Sequence, residues 1–320
     1  MNKNAVIKAV NSHKRFLIST HVNPDADAIG SALAMAVALK SMGKTVVVLN
    51  EDAVPEWLSF LPKTEWFKMS KDVRDVVYDA AIVLDCGDLS RVGSVRGLLR
   101  TGKPVINIDH HKTNDHFGDI NLVVPKSSST VEVLYGLFKD MKIGLSKDLA
   151  VLLYAGLMTD TGSFRYDCTS MLSHQMAGEL IGLGVKPQDI YTQIYDVVSI
   201  KDLKQFMSVS TQVEFLSGGR VACLELRQTD LKKFSDSFDV RDKMFGLLRS
   251  AKEVGVIVIF NEVGKTRTRV NFRSKGSVDV SLLAARFQGG GHAKASGCTL
   301  DLSLKETRKV ILPLIIKELG

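Results

Sequence analysis

Cysteine is scarce in this 320-residue chain, and long apolar runs are missing from it. The cysteines form no CxxC pair, which excludes a thiolate zinc framework and suits a reducing compartment; they are Cys86, Cys168, Cys223 and Cys298. No apolar run approaches the roughly 18 residues that span a bilayer, and the segment MNKNAVIKAVNSHKRF lacks the apolar core of a signal peptide. We therefore expect a cytoplasmic protein whose cysteines are buried as small apolar side chains.

Extremes of composition are absent as well. The chain is 45% hydrophobic, 24% charged and 7% aromatic, which is typical of a soluble globular protein, and it contains no internal repeat or low-complexity tract. Its length predicts about two domains of roughly 150 residues each. The formal net charge of +7 would attract an anionic ligand, although a basic surface of this size is as often merely solvated.

The N-terminal half alternates short apolar runs with helical patterns, which is typical of a parallel sheet with crossover helices. The predicted strands are 16–20, 45–49, 80–84 and 105–108, and the predicted helices are 27–42 and 147–158. We predict an α/β fold with a parallel-sheet N-terminal domain that has helices on both faces. This domain covers residues 1–186 and is followed by a helical linker, residues 187–211.

Residues 212–320 are predicted to form a smaller mixed α/β domain. The predicted strands there are 212–215, 220–226, 254–263 and 266–272, and the predicted helices are 242–250, 280–286 and 305–318. A glycine-rich turn, QGGGHAKASG, separates the last two helices. We expect the active site to lie in the cleft between the two domains.

The most informative segment is HVNPDADAIGS, which lies between the first predicted strand and the first predicted helix. It places His21, Asp25 and Asp27 within seven positions. In open α/β sheets, ligands bind at the carboxyl ends of the strands, where loops can converge several side chains on one point. This segment is therefore a candidate ligand-binding loop.

Three further segments place similar side chains at equivalent positions. Asp85 follows the strand AAIVL, Asp109-His110-His111 follows VINI, and Asp160 comes just after a predicted helix. Each alone has an ordinary explanation, because an aspartate at a strand end is usually a cap or a turn former. Together they favour a metal site, since clustered carboxylates repel one another unless cations neutralise them.

The charges and donor types indicate which metal ions would bind. Asp25, Asp27, Asp85 and Asp160 would supply four negative charges, which balance two divalent cations. A mixture of carboxylate and imidazole without thiolate favours Mn²⁺ over structural zinc, with Mg²⁺ or Co²⁺ conceivable. We therefore expect two divalent metal ions.

These motifs resemble those of the DHH phosphoesterase superfamily, and GGGHAKASG resembles its DHHA1 substrate domain. With the chain length, the whole is similar to the subfamily of nanoRNases and phosphoadenosine-phosphate phosphatases. The resemblance implies two metal sites that share Asp85: one formed by His21, Asp25 and Asp85, the other by Asp27, Asp85, His110 and Asp160. It also implies that Asp109 is an orienting residue or loose ligand. His111 would act on the substrate phosphate as an acid or electrostatic stabiliser.

The glycine-rich segment has two interpretations. It is either a plain flexible turn or an anion-binding nest that holds a second substrate phosphate; the nest would comprise Gly289, Gly290, Gly291, His292 and Ser296. The resemblance favours the nest, with Arg273 as the matching guanidinium. Arg165 is a further candidate for the cleft. The run from Ser127 to Thr130 most simply caps a helix.

The resemblance implies a two-metal phosphoesterase. It would hydrolyse short oligoribonucleotides to mononucleotides and 3′-phosphoadenosine 5′-phosphate (pAp) to AMP and phosphate. One alternative is a RecJ-like single-strand exonuclease, although such enzymes are usually larger. Another is a manganese pyrophosphatase, although those enzymes lack the GGGH domain. The remaining alternatives are a linear or cyclic dinucleotide phosphodiesterase and a non-catalytic dinucleotide sensor. We expect nucleotide or short RNA substrates, no membrane and no obligate protein partner, and leave a homodimer open.

Overall fold

The structure is a computed structural model that describes residues 3–73, 75–99, 102–235 and 238–319. The chain divides into two compact units, Met1–Val197 and Val198–Gly320. Among the described residues, every helix is too short or too polar to cross a membrane.

The first unit contains a six-stranded sheet in which all strands are parallel, in the order β3-β2-β1-β4-β5-β6. In chain order its elements are α1 (Lys3–Ser12), β1 (Arg15–Ser19), α2 (Ala26–Ser41), β2 (Thr45–Asn50), β3 (Phe67–Met69), β4 (Ala80–Leu84), β5 (Val105–Asp109), β6 (Ile120–Val123), α3 (Thr130–Asp140), α4 (Lys147–Asp160), α5 (Met171–Gly182) and α6 (Pro187–Tyr195).

The central strands of this sheet are apolar on both faces because both faces are covered. One face, which includes Ile18 and Ile82, packs against α2, α3 and α4. The other face, which includes Leu17 and Val83, packs against the 3₁₀-helical segment Leu89–Leu98. Because both faces are covered, the loops that follow the strands meet at the carboxyl edge of the sheet.

Two glycines allow α2 and α4 to approach each other closely. A Cβ atom on Gly30 would lie 2.7 Å from the Leu152 carbonyl oxygen, and one on Gly156 would lie 2.9 Å from Asp27 Oδ1. Because no side chain intervenes, the C-terminal end of α4 lies beside the N-terminal end of α2. This contact positions the predicted ligands of both helices.

The second unit has a mixed six-stranded sheet of order β11-β12-β10-β9-β8-β7, in which only β8 and β9 pair in parallel. Its elements are α7 (Ile200–Ser210), β7 (Glu214–Leu216), β8 (Val221–Leu226), α8 (Gln228–Leu231), α9 (Val240–Arg249), β9 (Val256–Gly264), β10 (Arg267–Ser274), α10 (Val280–Ala285), β11 (Gly290–His292), β12 (Ala295–Leu300) and α11 (Leu304–Glu318). Helices α10 and α11 pack on one face, and α9 covers the β8 and β9 part of the other.

The α/β fold with a parallel N-terminal sheet and a mixed C-terminal sheet is confirmed. The predicted helical stretch 187–211 is two helices, α6 and α7, and the glycine-rich turn is a hairpin formed by β11 and β12. The sequence did not predict α1, β3, β6, α5 or α8. Burial of the cysteines holds for three of them, but Cys168 is exposed, so the prediction was wrong there. The boundaries at 186 and 211 stay a prediction.

Candidate metal centre

Side chains from the carboxyl edge of the first sheet and from the end of α4 converge in one cluster. Three groups of potential ligand atoms occur among the described residues, each with its atoms within 4.8 Å of one another: His21, Asp25 and Asp85; Asp85, His110 and His111; and Asp27, His110 and Asp160. Asp85 and His110 each belong to two groups. The groups are therefore contiguous, and the structure brings the predicted metal ligands together.

The loop after β1 orients the first imidazole. His21 Nδ1 lies 2.8 Å from the Val22 carbonyl oxygen, so it bears the proton and leaves Nε2 free, 3.5 Å from Asp85 Oδ2. Asp25 is the N-cap of α2 and accepts from the backbone N–H groups of Asp27 and Ala28 at 3.1 and 3.0 Å. Asp25 therefore caps the helix with one carboxylate oxygen. Its other oxygen lies 4.0 Å from His21 Nε2, where both atoms could bind a metal ion.

Asp85 lies at the centre of the cluster in a backbone conformation that few residues adopt. Its φ of +53° is left-handed, which aspartate tolerates better than most side chains. Oδ1 accepts from Thr130 Oγ1 at 2.9 Å and lies 3.6 Å from His110 Nε2. Although burial opposes it, the nearby imidazoles of His21, His110 and His111 hold the pKa of Asp85 below its ordinary value.

Asp27 and Asp160 are held close to other carboxylates. Asp27 is fully buried and accepts from the N–H groups of Thr130 and Val131, the first turn of α3, at 2.6 and 3.0 Å. Burial and the nearby charge of Asp85 raise its pKa well above the ordinary value. The same two causes raise the pKa of Asp160 to about 8. A bound cation would relieve this repulsion.

His110 completes the donor set. Its Nδ1 lies 3.4 Å from the Ser127 carbonyl oxygen, which leaves Nε2 facing carboxylates of Asp160 and Asp27 at 3.3 and 4.0 Å. The capping prediction for this loop is confirmed, because Ser129 accepts from the Glu132 N–H. Four carboxylates and two imidazoles, without thiolate, are donors that fit divalent cations of the Mg²⁺, Mn²⁺ or Co²⁺ type. The site therefore fits divalent metal ions.

Asp109 and His111 lie beside these ligands but form a separate hydrogen-bonded pair. Asp109 is fully buried; Oδ1 accepts from the His110 N–H at 2.8 Å and faces His111 Nδ1 at 2.7 Å. Its other oxygen accepts from Asn114 Nδ2 at 2.6 Å. The hydrogen bond to Asp109 raises the pKa of His111 to about 9, and His111 Nε2 has no partner within the described chain. Asp109 thus orients His111.

Sequence reasoning missed two residues here, Asn114 and Thr130. Asn114 belongs to the DHHKTN segment, and a third polar side chain so close to Asp109 was the available signal. Its Nδ2 also reaches the Cys86 carbonyl at 3.2 Å and Asn107 Oδ1 at 2.8 Å, so it ties the loops after β4 and β5 together.

Replacing Asn114 by alanine should reduce catalysis more than binding. The variant leaves Asp109 Oδ2 buried without its donor, which costs about 1–3 kcal/mol and loosens the His111 orientation. We expect kcat to fall by roughly tenfold, with KM changed much less. Steady-state kinetics with pAp and Mn²⁺ measures both. Asn121→Ala is the matched control, because within the described chain the Asn121 side chain, in β6, bonds only to Gly118. Equal losses in both variants would contradict the role of Asn114.

In the second unit, the structure places Arg273 and His292 in one row. Arg273 pairs with Ala295, which pairs with His292, so the three side chains lie on the same face of the sheet. The Arg273 guanidinium stacks on the Phe245 ring at 4.6 Å. Ser296 lies on the opposite face, where its hydroxyl donates to the Val280 carbonyl at 2.5 Å. The structure therefore does not bring the Ser296 hydroxyl to Arg273.

The structure explains why some of the three consecutive glycines, residues 289–291, must be glycine. A Cβ atom on Gly289 would overlap the Gly297 carbonyl, and Gly291 has a φ of +135° against the backbone of β12. These two have steric reasons to be glycine. Gly290 has none, because a Cβ atom there would meet nothing within 4 Å.

Arg165, in the first unit, is exposed and donates from Nε to the Gly162 carbonyl at 2.7 Å. It follows three consecutive residues with positive φ, Gly162, Ser163 and Phe164. The turn that presents Arg165 therefore begins two residues after Asp160.

Comparisons with known proteins show the family of both halves of the chain. The DHH family, N-terminal domain, matches residues 15–157, and the DHHA1 domain matches residues 225–317. A Thermus thermophilus protein named bifunctional oligoribonuclease and PAP phosphatase NrnA is 33% identical over 98% of this chain and 92% of its own. A Bacillus subtilis protein of the same name is 28% identical over 93% of both chains.

A solved structure is also similar throughout. The crystal structure of an exopolyphosphatase-related protein from Bacteroides fragilis has a TM-score of 0.89 and 26% identity, and the match covers 99% of this chain and 96% of that chain. Both domain matches, the full-length relatives and the ligand cluster lead to the same conclusion. This chain belongs to the DHH/DHHA1 phosphoesterase family, in the group of the bifunctional oligoribonucleases and PAP phosphatases.

Proposed function

We propose that the chain hydrolyses short oligoribonucleotides to mononucleotides and pAp to AMP and phosphate, with two divalent metal ions, preferably Mn²⁺. The observation that carries this proposal is the position of Asp85, whose carboxylate lies between the His21 and His110 imidazoles at 3.5 and 3.6 Å. His21, Asp25 and Asp85 would hold one ion. Asp27, Asp85, His110 and Asp160 would hold the other.

Bound there, the ions would activate a water molecule and neutralise charge that develops on the phosphate. His111 donates from Nε2 to the phosphate or leaving oxygen, because Asp109 holds Nδ1 and keeps the imidazole protonated near neutral pH. In the second unit, Arg273 and His292 would bind the far end of the substrate, together with the backbone of Gly289, Gly290 and Gly291. Arg165 would assist in binding the substrate. Ser296 would act only indirectly, because its hydroxyl bonds to Val280 and so supports β12.

The substrate proposal is supported by the relatives from Thermus thermophilus and Bacillus subtilis, which are named as oligoribonucleases and PAP phosphatases. We also propose a cytoplasmic location, since the four cysteines are unpaired. A homodimer and the lack of an obligate protein partner stay predictions, which light scattering of the purified chain tests.

A substrate panel tests the proposed function. The wild-type protein with Mn²⁺ is incubated with pAp, ribonucleotide dimers to decamers labelled at either end, pyrophosphate and cyclic dinucleotides, and the products are separated by chromatography. We expect release of phosphate from pAp and of mononucleotides from dimers. Preference for decamers would indicate a RecJ-like exonuclease, and preference for pyrophosphate a pyrophosphatase. Binding of dimers without cleavage would overturn the enzyme proposal in favour of a sensor.

Metal affinity should depend on pH below about 8. In the metal-free protein, Asp160 keeps its proton up to about pH 8, whereas its ordinary pKa is 3.8. A metal ion must displace this proton, so its affinity should rise at least about tenfold between pH 6 and pH 7. The raised pKa also makes the metal-free fold less stable as pH rises from 3.8 towards 8.

Calorimetric titration with Mn²⁺ at the two pH values measures this dependence. The control is Asp160→Asn, which cannot bind the proton and should show weaker affinity with a smaller dependence on pH. Equal wild-type affinity at pH 6 and pH 7 would contradict the prediction.

A further inference from the structure

The face of the second sheet that bears Arg273 is left open beyond the region covered by α9. Strand register defines three successive rows across it: Arg269 with Thr299; Asn271 with Gly297 and Gly290; and Arg273 with Ala295 and His292. The intervening residues point to the other face and are buried, as Val270 and Cys298 are. The three rows contain no carboxylate and two arginines.

The middle row is a flat shelf in which two of the three positions are glycine. A Cβ atom on Gly290 would meet nothing within 4 Å, so the space above Gly290 is open. A Cβ atom on Gly297 would lie 3.3 Å from Asn271 Nδ2, which places that amide group directly over the edge of the shelf. The shelf thus combines bare backbone with one side-chain amide.

The orientation of this amide is set by a side chain of the adjacent strand β9, on the same face of the sheet. Asn261, which is 4% exposed, donates from Nδ2 to Asn271 Oδ1 at 2.9 Å and to the Arg269 carbonyl at 3.4 Å. This bond occupies the oxygen of Asn271 and leaves its Nδ2 group as a donor, for which no acceptor lies within the described residues. A fixed donor with no partner beside a flat open surface is suited to a planar ligand with acceptor atoms at its edge.

Arg269 and Arg273 stand two residues away on either side of Asn271, about 6.6 Å along the strand. The Arg269 side chain forms no ion pair within the described chain, and Arg273 stacks on Phe245. Cations beside an uncharged shelf match a nucleoside that carries a phosphate group.

We propose that the shelf formed by Asn271, Gly297 and Gly290 binds the nucleobase of the substrate, with Asn271 Nδ2 donating to a ring nitrogen or carbonyl oxygen of the base. This inference rests on the proposed function and adds a specificity-determining residue to it. The base lies over the backbone of Gly290, where a Cβ atom would stand in its place.

The test compares a substrate with and without its base. Wild-type protein and Asn271→Ala are assayed with pAp and with the base-free 1-deoxyribose 3,5-bisphosphate, in Mn²⁺. We expect kcat/KM of the variant for pAp to fall by about tenfold, which is the loss of one hydrogen bond to a buried edge. For the base-free substrate the variant should stay within about twofold of wild type, as should the control Thr299→Ala with both substrates.

Equal losses on both substrates would overturn the proposal, because Asn271 would then act on phosphate or on the fold; so would an unchanged kcat/KM for pAp. Should Asn271→Ala fail to fold, Asn271→Ser gives the same comparison with a small polar side chain. Failure of the wild-type protein to hydrolyse pAp and ribonucleotide dimers would count against the proposed function itself. Wild-type hydrolysis with an unchanged ratio between the substrates would count against Asn271 alone.

Discussion

Replacing Asp85 by asparagine should lower kcat by at least about 10³-fold, on the order of 4 kcal/mol of transition-state stabilisation. The substitution keeps the shape of the side chain but removes the one negative charge that lies between the His21 and His110 imidazoles. Asparagine also tolerates the left-handed backbone conformation at this position, where φ is +53°. The fold should therefore survive, and the loss should reflect the metal centre.

Steady-state kinetics with pAp over a range of Mn²⁺ concentrations measures this effect. Asp88→Asn is the matched control: Asp88 lies three residues later, is exposed, and caps the next 3₁₀ segment through the Ser90 N–H. Because asparagine caps as well as aspartate, this variant should stay within about twofold of wild type. More than a tenth of wild-type activity in Asp85→Asn at saturating Mn²⁺ would contradict a bridging role for Asp85.

A methyl group on Gly156 should damage the metal centre from within the helix packing. In Gly156→Ala the new Cβ would lie 2.9 Å from both Asp27 Oδ1 and Val131 Cγ1, closer than packed atoms allow. Overpacking of this kind costs about 1–3 kcal/mol, which exceeds the helix-propensity gain of about 1 kcal/mol. Because the clash displaces a ligand, we expect Mn²⁺ affinity to fall about 10- to 100-fold.

Thermal unfolding and Mn²⁺ titration measure the two effects separately. Gly178→Ala is the control, since Gly178 lies inside α5 and a Cβ atom there meets nothing within 4 Å. That variant should be as stable as wild type or slightly more stable, with unchanged metal affinity. Indistinguishable behaviour of the two variants would show that the close approach of α4 to Asp27 does not matter.

The sequence predicted the parts of the fold that depend on periodicity. Strand β4 and the end of α2 follow from continuous apolar runs and from Lys40 and Gly43, and the structure has them at the predicted positions. Strand β6 was missed because it is a short edge strand of four residues, Ile120–Val123. Of these, only Leu122 is fully buried. Short edge elements leave little periodic signal.

The candidate site likewise contains residues that the sequence predicts and contacts that it does not predict. Its aspartates and histidines follow strand ends and could be predicted as a group, since the carboxyl ends of parallel strands share one edge. The contact between Asn114 and Asp109 depends on how a loop folds back, and the direction of the Ser296 hydroxyl depends on strand register. A shift of one residue in register would exchange the faces of Ser296 and Ala295, and the sequence does not specify that register.

Two divalent ions are expected to bind at the Asp85 carboxylate. Anomalous diffraction from crystals grown with Mn²⁺, collected on both sides of the manganese absorption edge, tests this expectation most directly. We expect two anomalous peaks per chain, one beside His21 and Asp25 and one beside His110, Asp27 and Asp160, both in contact with Asp85. Both peaks should be lost from crystals of Asp85→Asn. A single peak, or two peaks that do not share Asp85, would contradict it.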